Sequence, residues 1–208
     1  DDGMLAFAVP LKAHEKKQLF VYTSASKLNL PGFPAKTSYD SRHAYRSFEN
    51  NLMAFRMETG PGANTTGMAI DLFGKTAQGK GLRLVEAYEH GHDSYHKLQY
   101  WGIDCLKLGS SPGLGGVYVL SGEQMGRPEA ATTFVQCVHQ GPVETVLRVT
   151  GPVKVGDKTV TVNRTLTLFA DDRGIEDIVD VTGSDTRDIQ IGIGLRNLPN
   201  EQWTEKTS

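Results

Sequence analysis

The residue types best suited to acid–base chemistry and to sugar binding concentrate in one segment, residues 86–116. Three of the six histidines lie within seven residues of this segment, beside tyrosine, tryptophan, aspartate and lysine. The candidates are His90, His92, Tyr95, His96, Tyr100, Trp101, Asp104 and Lys107. Aromatic rings can stack on pyranose rings, carboxylates can bind hydroxyl groups, and a histidine–tyrosine pair can transfer protons near neutral pH. The segment therefore indicates a sugar site.

The same histidines also fit two other interpretations. If the segment is extended, His90 and His92 lie on one face, and His96 adds a third nitrogen that could bind a divalent metal. A histidine cluster alone fixes neither the number of ligands nor their geometry. In the third interpretation the histidines lie in an exposed loop and bond to backbone or solvent. The sequence leaves these alternatives open, and with them the need for a metal cofactor.

Upstream polar residues are further candidates for substrate binding. Arg56 lies within an apolar strand pattern, where it could clamp a carboxylate with two hydrogen bonds or pair with an acid of the fold. Glu49, Asn50 and Asn51 could line a groove, although such clusters also mark turns. Arg164 interrupts the apolar face of a strand, which predicts a position near a sheet end or an acidic partner.

Composition excludes several classes of protein. The chain has 22 basic and 24 acidic residues, for a net charge of −2, so no basic field favours nucleic acid. No run reaches the roughly 18 apolar residues of a membrane helix. No Lys-Ser/Thr follows Gly113–Gly116 to make a phosphate loop. Cys105 and Cys137 match no zinc motif, and their pattern allows either one disulfide or two thiols.

Period-two alternation of apolar residues predicts an all-β fold. Alternation is strongest in Thr159–Phe169, and Glu144–Thr150, Gly174–Thr182 and Asp188–Arg196 repeat it. Gly156-Asp157 is predicted to be the turn of a hairpin. Long strands separated by short turns are typical of antiparallel sheets packed face to face.

The first half of the chain shows the same pattern less clearly. Candidate strands there are Leu19–Thr23, Leu52–Glu58, Met68–Phe73, Leu82–Tyr88 and Gly116–Leu120. Ala44–Asn51 fits either a short helical turn or an irregular entry to a strand. We expect residues 1–208 to form a single β-sandwich domain. The start at Asp1 without methionine, and the end at Trp203–Ser208 directly after a strong strand, leave open that the chain is the N-terminal part of a longer, processed protein.

Two separated motifs resemble the bacterial DUF4861 family. The segment Phe48–Arg56 is similar to the family pattern W/F-E-N-D-x-x-A-F-R, with Asn51 where aspartate is frequent. Tyr95-His96-Lys97, Gly102-Ile103-Asp104 and Ser111–Gly116 resemble a second family pattern in the same order. Gln99-Tyr100-Trp101 departs from it, and family members are usually longer.

The resemblance implies a large antiparallel β-sandwich of the galactose-mutarotase and polysaccharide-lyase type, a supersandwich. It also implies work on polysaccharides outside the cytoplasm, in the periplasm or after secretion. One relative is described as a dehydratase of ulvan oligosaccharides, and a pectin methylesterase has been associated with another. The implied partner is an oligosaccharide that contains a uronic acid.

A uronic acid at the non-reducing end of such an oligosaccharide suggests a mechanism. Its C5 proton lies α to a carboxylate, and removal of that proton with loss of the C4 substituent gives a dehydratase or a lyase. The family match at His96 makes it the expected base or acid, with Tyr95 or Tyr100 as its partner and His92 as a further candidate. Arg56, His90, His92 or Asn50 would bind the carboxylate and the negative charge that develops on it. A methylesterase, a binding module, a cupin-like metalloenzyme and an epimerase remain alternatives.

Overall fold

The protein is described by a computed structural model that covers residues 7, 9–21, 37–42, 45–63, 67–81, 83–84, 95–106, 108–109 and 111–196. It confirms the predicted all-β, antiparallel sandwich: an eight-stranded sheet faces a four-stranded sheet across an apolar core. No helix within these ranges is long and apolar enough to cross a membrane.

The larger sheet has the order β1-β2-β3-β4-β6-β12, with β5 paired to β4 and β7 paired to β6. Its strands are β1 (Thr37–Arg42), β2 (Tyr45–Asn50), β3 (Met53–Glu58), β4 (Ile70–Lys75), β5 (Gly102–Asp104), β6 (Leu114–Ser121), β7 (Gln124–Gly126) and β12 (Ile189–Leu195).

The smaller sheet has the order β11-β10-β9-β8. Its strands are β8 (Phe134–Gln140), β9 (Glu144–Val155), β10 (Lys158–Phe169) and β11 (Glu176–Thr182), and a short 3-10 helix at Ala130–Thr132 precedes it. All strand pairs in both sheets are antiparallel.

The long hairpin of β9 and β10 follows the predicted alternation. Its turn lies at Gly156, whose φ of +63° suits glycine, and the apolar residues of β10 point into the core. The predicted strand Glu144–Thr150 is too short, because β9 continues through Gly151 and Pro152 to Val155. The pairing of β9 with β8 ends at Thr150, so the missing N–H of Pro152 removes no hydrogen bond between these two strands.

Three predictions in the first half need correction. Ala44–Asn51 contains the regular strand β2, which pairs with β1 and β3 and is not helical. The strand predicted to begin at Met68 begins at Ile70, because Gly67 and Met68 have φ values of +68° and +55°. In the predicted strand Leu19–Thr23, residues 19–21 are exposed and form no strand, and the rest lies outside the described residues.

Two more predictions concern single residues. Arg164 is buried in the core with an acidic partner, as predicted: its Nε and Nη2 donate to the carboxylate of Asp177 at 3.2 and 2.6 Å. Its Nη1 donates to the carbonyl of Met68 at 2.7 Å. Cys105 and Cys137 are both free thiols, so of the two alternatives the disulfide is not formed.

The larger sheet buries residues on both of its faces. One face packs on the smaller sheet and forms the main core. On the outer face, Ala54 and Phe73 pack with Leu84 and Trp101. Most residues predicted to do chemistry lie on or above this outer face.

Candidate functional site

Strand register brings three charged side chains together on the outer face of the larger sheet. Arg56 of β3 lies directly opposite Asp71 of β4. Asp104 of β5 lies opposite Phe73, two positions along β4 from Asp71. Because side chains two apart on a strand share a face, Asp71 and Asp104 are diagonal neighbours across the β4–β5 pair. Asp71 and Asp104 are each only 5% exposed.

Arg56 is held between an acid and aromatic rings. Its Nη2 donates a short hydrogen bond to Asp71 Oδ2 within an ion pair. Its guanidinium carbon lies 4.9 Å from the ring centroid of Tyr45, 5.1 Å from that of Phe73 and 5.7 Å from that of Tyr95. Aromatic faces attract such a cation electrostatically. The ion pair within the fold is therefore formed, and the binding of a substrate carboxylate by Arg56 stays a prediction.

The two carboxyl groups titrate abnormally because they are buried together. Burial raises the pKa of Asp71 from its ordinary value of 3.8 to about 6; Arg56 opposes that rise and the nearby Asp104 carboxylate adds to it. Burial also raises the pKa of Asp104, although the Leu106 N–H, Arg56 and Asp71 work in the opposite direction. Two acids that perturb each other in a partly enclosed site are typical of functional sites, though structural networks do the same.

His96 lies at the end of this buried group. Its Nδ1 is 3.1 Å from Asp104 Oδ2, and its side chain is 33% exposed, whereas that of Asp104 is 1% exposed. The rings of Tyr95 and His96 contact each other, with centroids 4.3 Å apart. The Asp104 N–H donates to the Tyr95 carbonyl at 2.9 Å, so β5 fixes the backbone that carries both rings. The predicted residues Arg56, Tyr95, His96 and Asp104 therefore form one group.

Trp101 and Tyr100 occupy different environments, although they are adjacent. Trp101 is 5% exposed and packs on Phe73 with ring centroids 6.5 Å apart, so its rings are part of the second apolar cluster. This position favours an anchoring role for Trp101 over the predicted stacking on a sugar. Tyr100 is exposed, and its carbonyl accepts a hydrogen bond from the Thr76 hydroxyl.

Glu49 and Asn50 use their polar atoms within the fold. Glu49 is ion-paired with Lys75 at 2.5 Å and accepts the Leu84 N–H at 2.8 Å. The Asn50 amide donates to the carbonyls of Phe169 and Asp172, and its oxygen accepts the N–H groups of Leu52 and Met53. Both side chains are buried, which favours the structural interpretation of this cluster.

Three predicted residues, His90, His92 and Lys107, lie outside the described residues, as does most of the predicted strand Leu82–Tyr88. Within the ranges that the structure describes, no group of three or more histidine, cysteine, aspartate and glutamate side chains is placed to hold a metal. His96 contacts a single carboxylate, Asp104, in the ion pair described for it. The metal interpretation, which needs His90 and His92, stays a prediction.

Asp71 and Tyr45 belong to the site but were not predicted from the sequence. Asp71 stands between Ile70 and Leu72, which point into the main core, so period two does place it on the opposite face. Its pairing with Arg56 depends on the register of β3 against β4, which alternation alone does not reveal. The sequence signal that could have identified Asp71 is an acidic residue within an apolar strand pattern, just as Arg56 is a basic residue within such a pattern.

The raised pKa of Asp71 predicts a pH-dependent stability. Because the folded-state pKa lies above the unfolded value, the stability that Asp71 contributes is fully present below about pH 3.8 and is lost as the pH rises through about 6. At about 1.4 kcal/mol for each pH unit between the two pKa values, the loss approaches ~3 kcal/mol. Chemical unfolding of wild type and Asp71→Asn at several pH values measures it. The advantage of wild type over the variant should shrink as the pH rises, and a constant difference would contradict the expectation.

A comparison with protein families finds that a model described as "Domain of unknown function (DUF4861)" matches residues 1–208, the whole chain. Searches of curated proteins and of solved structures found no match.

Proposed function

Because the chain belongs to the DUF4861 family, whose motif residues Tyr95, His96 and Asp104 meet in space, we propose that it performs β-elimination on oligosaccharides that contain a uronic acid. The proposed enzyme is a carbon–oxygen lyase, either a dehydratase or a chain-cleaving lyase. One observation carries the proposal: exposed His96 lies with its Nδ1 3.1 Å from the buried carboxylate of Asp104. The proposed substrates are polysaccharide fragments such as those of ulvan, met in the periplasm or outside the cell.

His96 is the proposed base for the C5 proton. An acid next to Nδ1 favours the tautomer that carries its proton there, which leaves Nε2 with a lone pair for the substrate. Asp104 also stabilises the imidazolium that forms once the proton has been taken. The backbone bond between Asp104 and Tyr95 keeps the imidazole on the same side of the sheet as the buried acids.

Tyr95 is the proposed acid for the group that leaves C4. Its ring contacts that of His96, so the proposed acid and the proposed base belong to the same site. In the elimination the C5–H bond breaks and its electron pair forms the C4–C5 double bond. The bond between C4 and its oxygen substituent breaks, and the proton of the Tyr95 hydroxyl goes to the departing oxygen. Water leaves in a dehydratase and a sugar leaves in a lyase, so the same residues serve either reaction.

Arg56 is the proposed source of positive charge for the substrate carboxylate and for the enolate-like charge that develops. Its guanidinium carbon is 5.7 Å from the Tyr95 ring centroid, under the proposed acid–base pair. Electrostatic stabilisation of developing charge is generally the largest contribution to catalysis of this kind. Its partner Asp71 has a pKa of about 6, so part of the Asp71 charge is lost in mildly acidic solution and the field at Arg56 becomes more positive.

The test is the ultraviolet absorbance of the conjugated C4–C5 double bond, followed while the protein is incubated with a panel of uronic-acid oligosaccharides that includes ulvan fragments. A rise in absorbance supports β-elimination, and product mass then distinguishes loss of water from chain cleavage. Methanol release from esterified fragments without a rise would identify a methylesterase instead. Binding of fragments with no new product would identify a sugar-binding module, and a flat trace across the panel would contradict the proposal.

A further inference from the structure

The buried carboxyls beneath His96 have acceptor oxygens that the fold leaves without donors. Among the described residues, no donor reaches Asp71 Oδ1 with hydrogen-bond geometry. His96 Nδ1 lies 3.1 Å from Asp104 Oδ2 as an ion-pair contact, but it also falls outside hydrogen-bond geometry, and both oxygens are buried. Leaving a buried acceptor unsatisfied costs about 1–3 kcal/mol, and more for a charged group. Asp104 does have donors elsewhere, since its Oδ1 accepts the Leu106 N–H at 3.0 Å. The open positions therefore face the space shared by the two acids and His96.

A single proton bound by the two carboxyl groups supplies the missing hydrogen-bond donor. When either carboxyl is protonated, its O–H can donate to the other, and Asp71 is then the side-chain hydrogen-bond partner of Asp104. We propose that Asp71 and Asp104 share a proton, and that Asp71 thereby acts as a positioning residue for His96 through Asp104. This inference rests on the proposed function for its catalytic meaning, but the shared proton itself does not depend on any substrate.

The proposed series of side-chain contacts, which runs from Arg56 through Asp71 and Asp104 to His96, is short and is held at each end. Arg56 holds Asp71 from β3, the β4–β5 pairing holds Asp104 beside Asp71, and Asp104 meets His96 Nδ1. Among the described residues, Glu58 on the same strand as Arg56 also acts on the Asp71 carboxyl, and the ring of Tyr45 covers Arg56. Above the sheet, the ring of Tyr95, itself ionisable, contacts the ring of His96.

The charge on Asp71 should be felt at the imidazole. An ionised Asp71 pairs with Arg56 and leaves Asp104 to stabilise imidazolium; removal of that charge turns Arg56 toward Asp104 and weakens the field at Nδ1. Loss of the Asp71 charge and movement of Arg56 toward Asp104 would both make the imidazolium less stable. We therefore expect Asp71→Asn to lower the titration midpoint of His96, even though Asp71 does not touch it.

Asp40 supplies a matched control on the same sheet face. The cross-strand row runs Asp40, Ser47, Arg56, Asp71, so Asp40 lies two strands from Arg56 on its other side. Asp40 is paired with Arg83 at 2.6 Å. Asp40→Asn removes the same charge from the same face without entering the proposed series of side-chain contacts.

Nuclear magnetic resonance titration of the His96 ring, assigned with His96→Ala, tests the inference without substrate. In Asp71→Asn the midpoint should fall by about half a unit, and in Asp40→Asn it should stay within about a tenth. Equal shifts in both variants, or none in Asp71→Asn, would overturn the inference. Where β-elimination is established, Asp71→Asn should also lower kcat with little change in KM and move the acid limb of the pH profile, whereas loss of both constants together would show a merely structural role.

A measurement on wild type covers the case in which Asp71→Asn does not fold. The carboxyl carbons of Asp71 and Asp104, observed by labelling the aspartates, should titrate in two linked steps that both resonances report. Independent single-step curves would overturn the shared proton. If the absorbance assay is flat but these titrations are linked, the proposed function fails and the shared proton stands. If the assay shows a rise and the titrations are independent, the proposed function stands and the shared proton fails.

Discussion

Replacement of His96 by alanine is expected to reduce the rate of β-elimination by about 10²–10⁴-fold, the usual contribution of a proton-transferring side chain. The His96 side chain is 33% exposed and belongs to neither apolar cluster, so the variant should fold with nearly the stability of wild type. The loss should appear in kcat and in kcat/KM, since the base acts on the transition state rather than on binding. Initial rates from the absorbance of the unsaturated product measure it.

His139 provides the control for the His96 experiment. It is an exposed histidine on β8, in the other sheet, at the irregularity between Cys137 and His139. His139→Ala should leave turnover unchanged within about twofold, since surface substitutions of this kind are usually close to neutral. If His96→Ala retains near-normal activity while β-elimination is established for wild type, His96 is not the base and the assignment of roles to the Tyr95–His96 pair is wrong.

Much of the second half of the chain was predictable because its longest strands alternate between buried and more exposed residues. In β10 the pattern holds over the twelve residues that pair with β9, so the apolar face is visible in the sequence. β8 was not predicted, because the irregularity between Cys137 and His139 shifts the inward face by one residue. β1 was not predicted because it is largely polar: Thr37 donates to the Gly141 carbonyl and Asp40 pairs with Arg83, so polar contacts take the place of an apolar face.

The site was predictable in its residue types but not in its connections. Tyr95, His96 and Asp104 were identified from a local segment, and a short loop brings them together again in space. Asp71 comes from a separate strand, and its place beside Asp104 depends on which residues of β4 and β5 are opposite each other. Single-sequence reasoning fixes the face of a strand through period two, yet it does not fix the register of one strand against another.

The glycine-rich end of the second family motif lies at the interior of the sandwich, near Arg164, and not at the histidine site. A Cβ on Gly115 would come within 3.2 Å of Arg164 Nη2 and 3.8 Å of Asp177 Oδ2, and the φ of Gly115 is +69°. Both facts favour glycine there. Gly115, Arg164 and Asp177 also line a cleft of about 410 Å³ between the sheets. One motif thus combines a histidine segment with a structural segment, a division that the sequence did not show.

Arg164→Met is expected to lower the free energy of unfolding by about 1–3 kcal/mol, the usual cost of leaving a buried hydrogen-bond acceptor without its donor, because the Asp177 side chain is partly exposed and only the Arg164 side of the ion pair is fully buried. The variant leaves the buried Met68 carbonyl and the partly exposed Asp177 carboxylate without their donor. Denaturant unfolding measures the change, and Arg148→Met is the control, because Arg148 is exposed on β9 and should cost no more than about 0.5 kcal/mol.

The double variant Arg164→Met with Asp177→Leu separates the effect of losing the ion pair from the effect of leaving an unpaired charge on Asp177. Replacing both members of an ion pair by apolar residues is often close to neutral, so the double variant should be more stable than Arg164→Met alone. If the two substitutions instead add, the loss in Arg164→Met comes from packing of the arginine stem beside Gly115 and the cleft, and not from the charge left on Asp177.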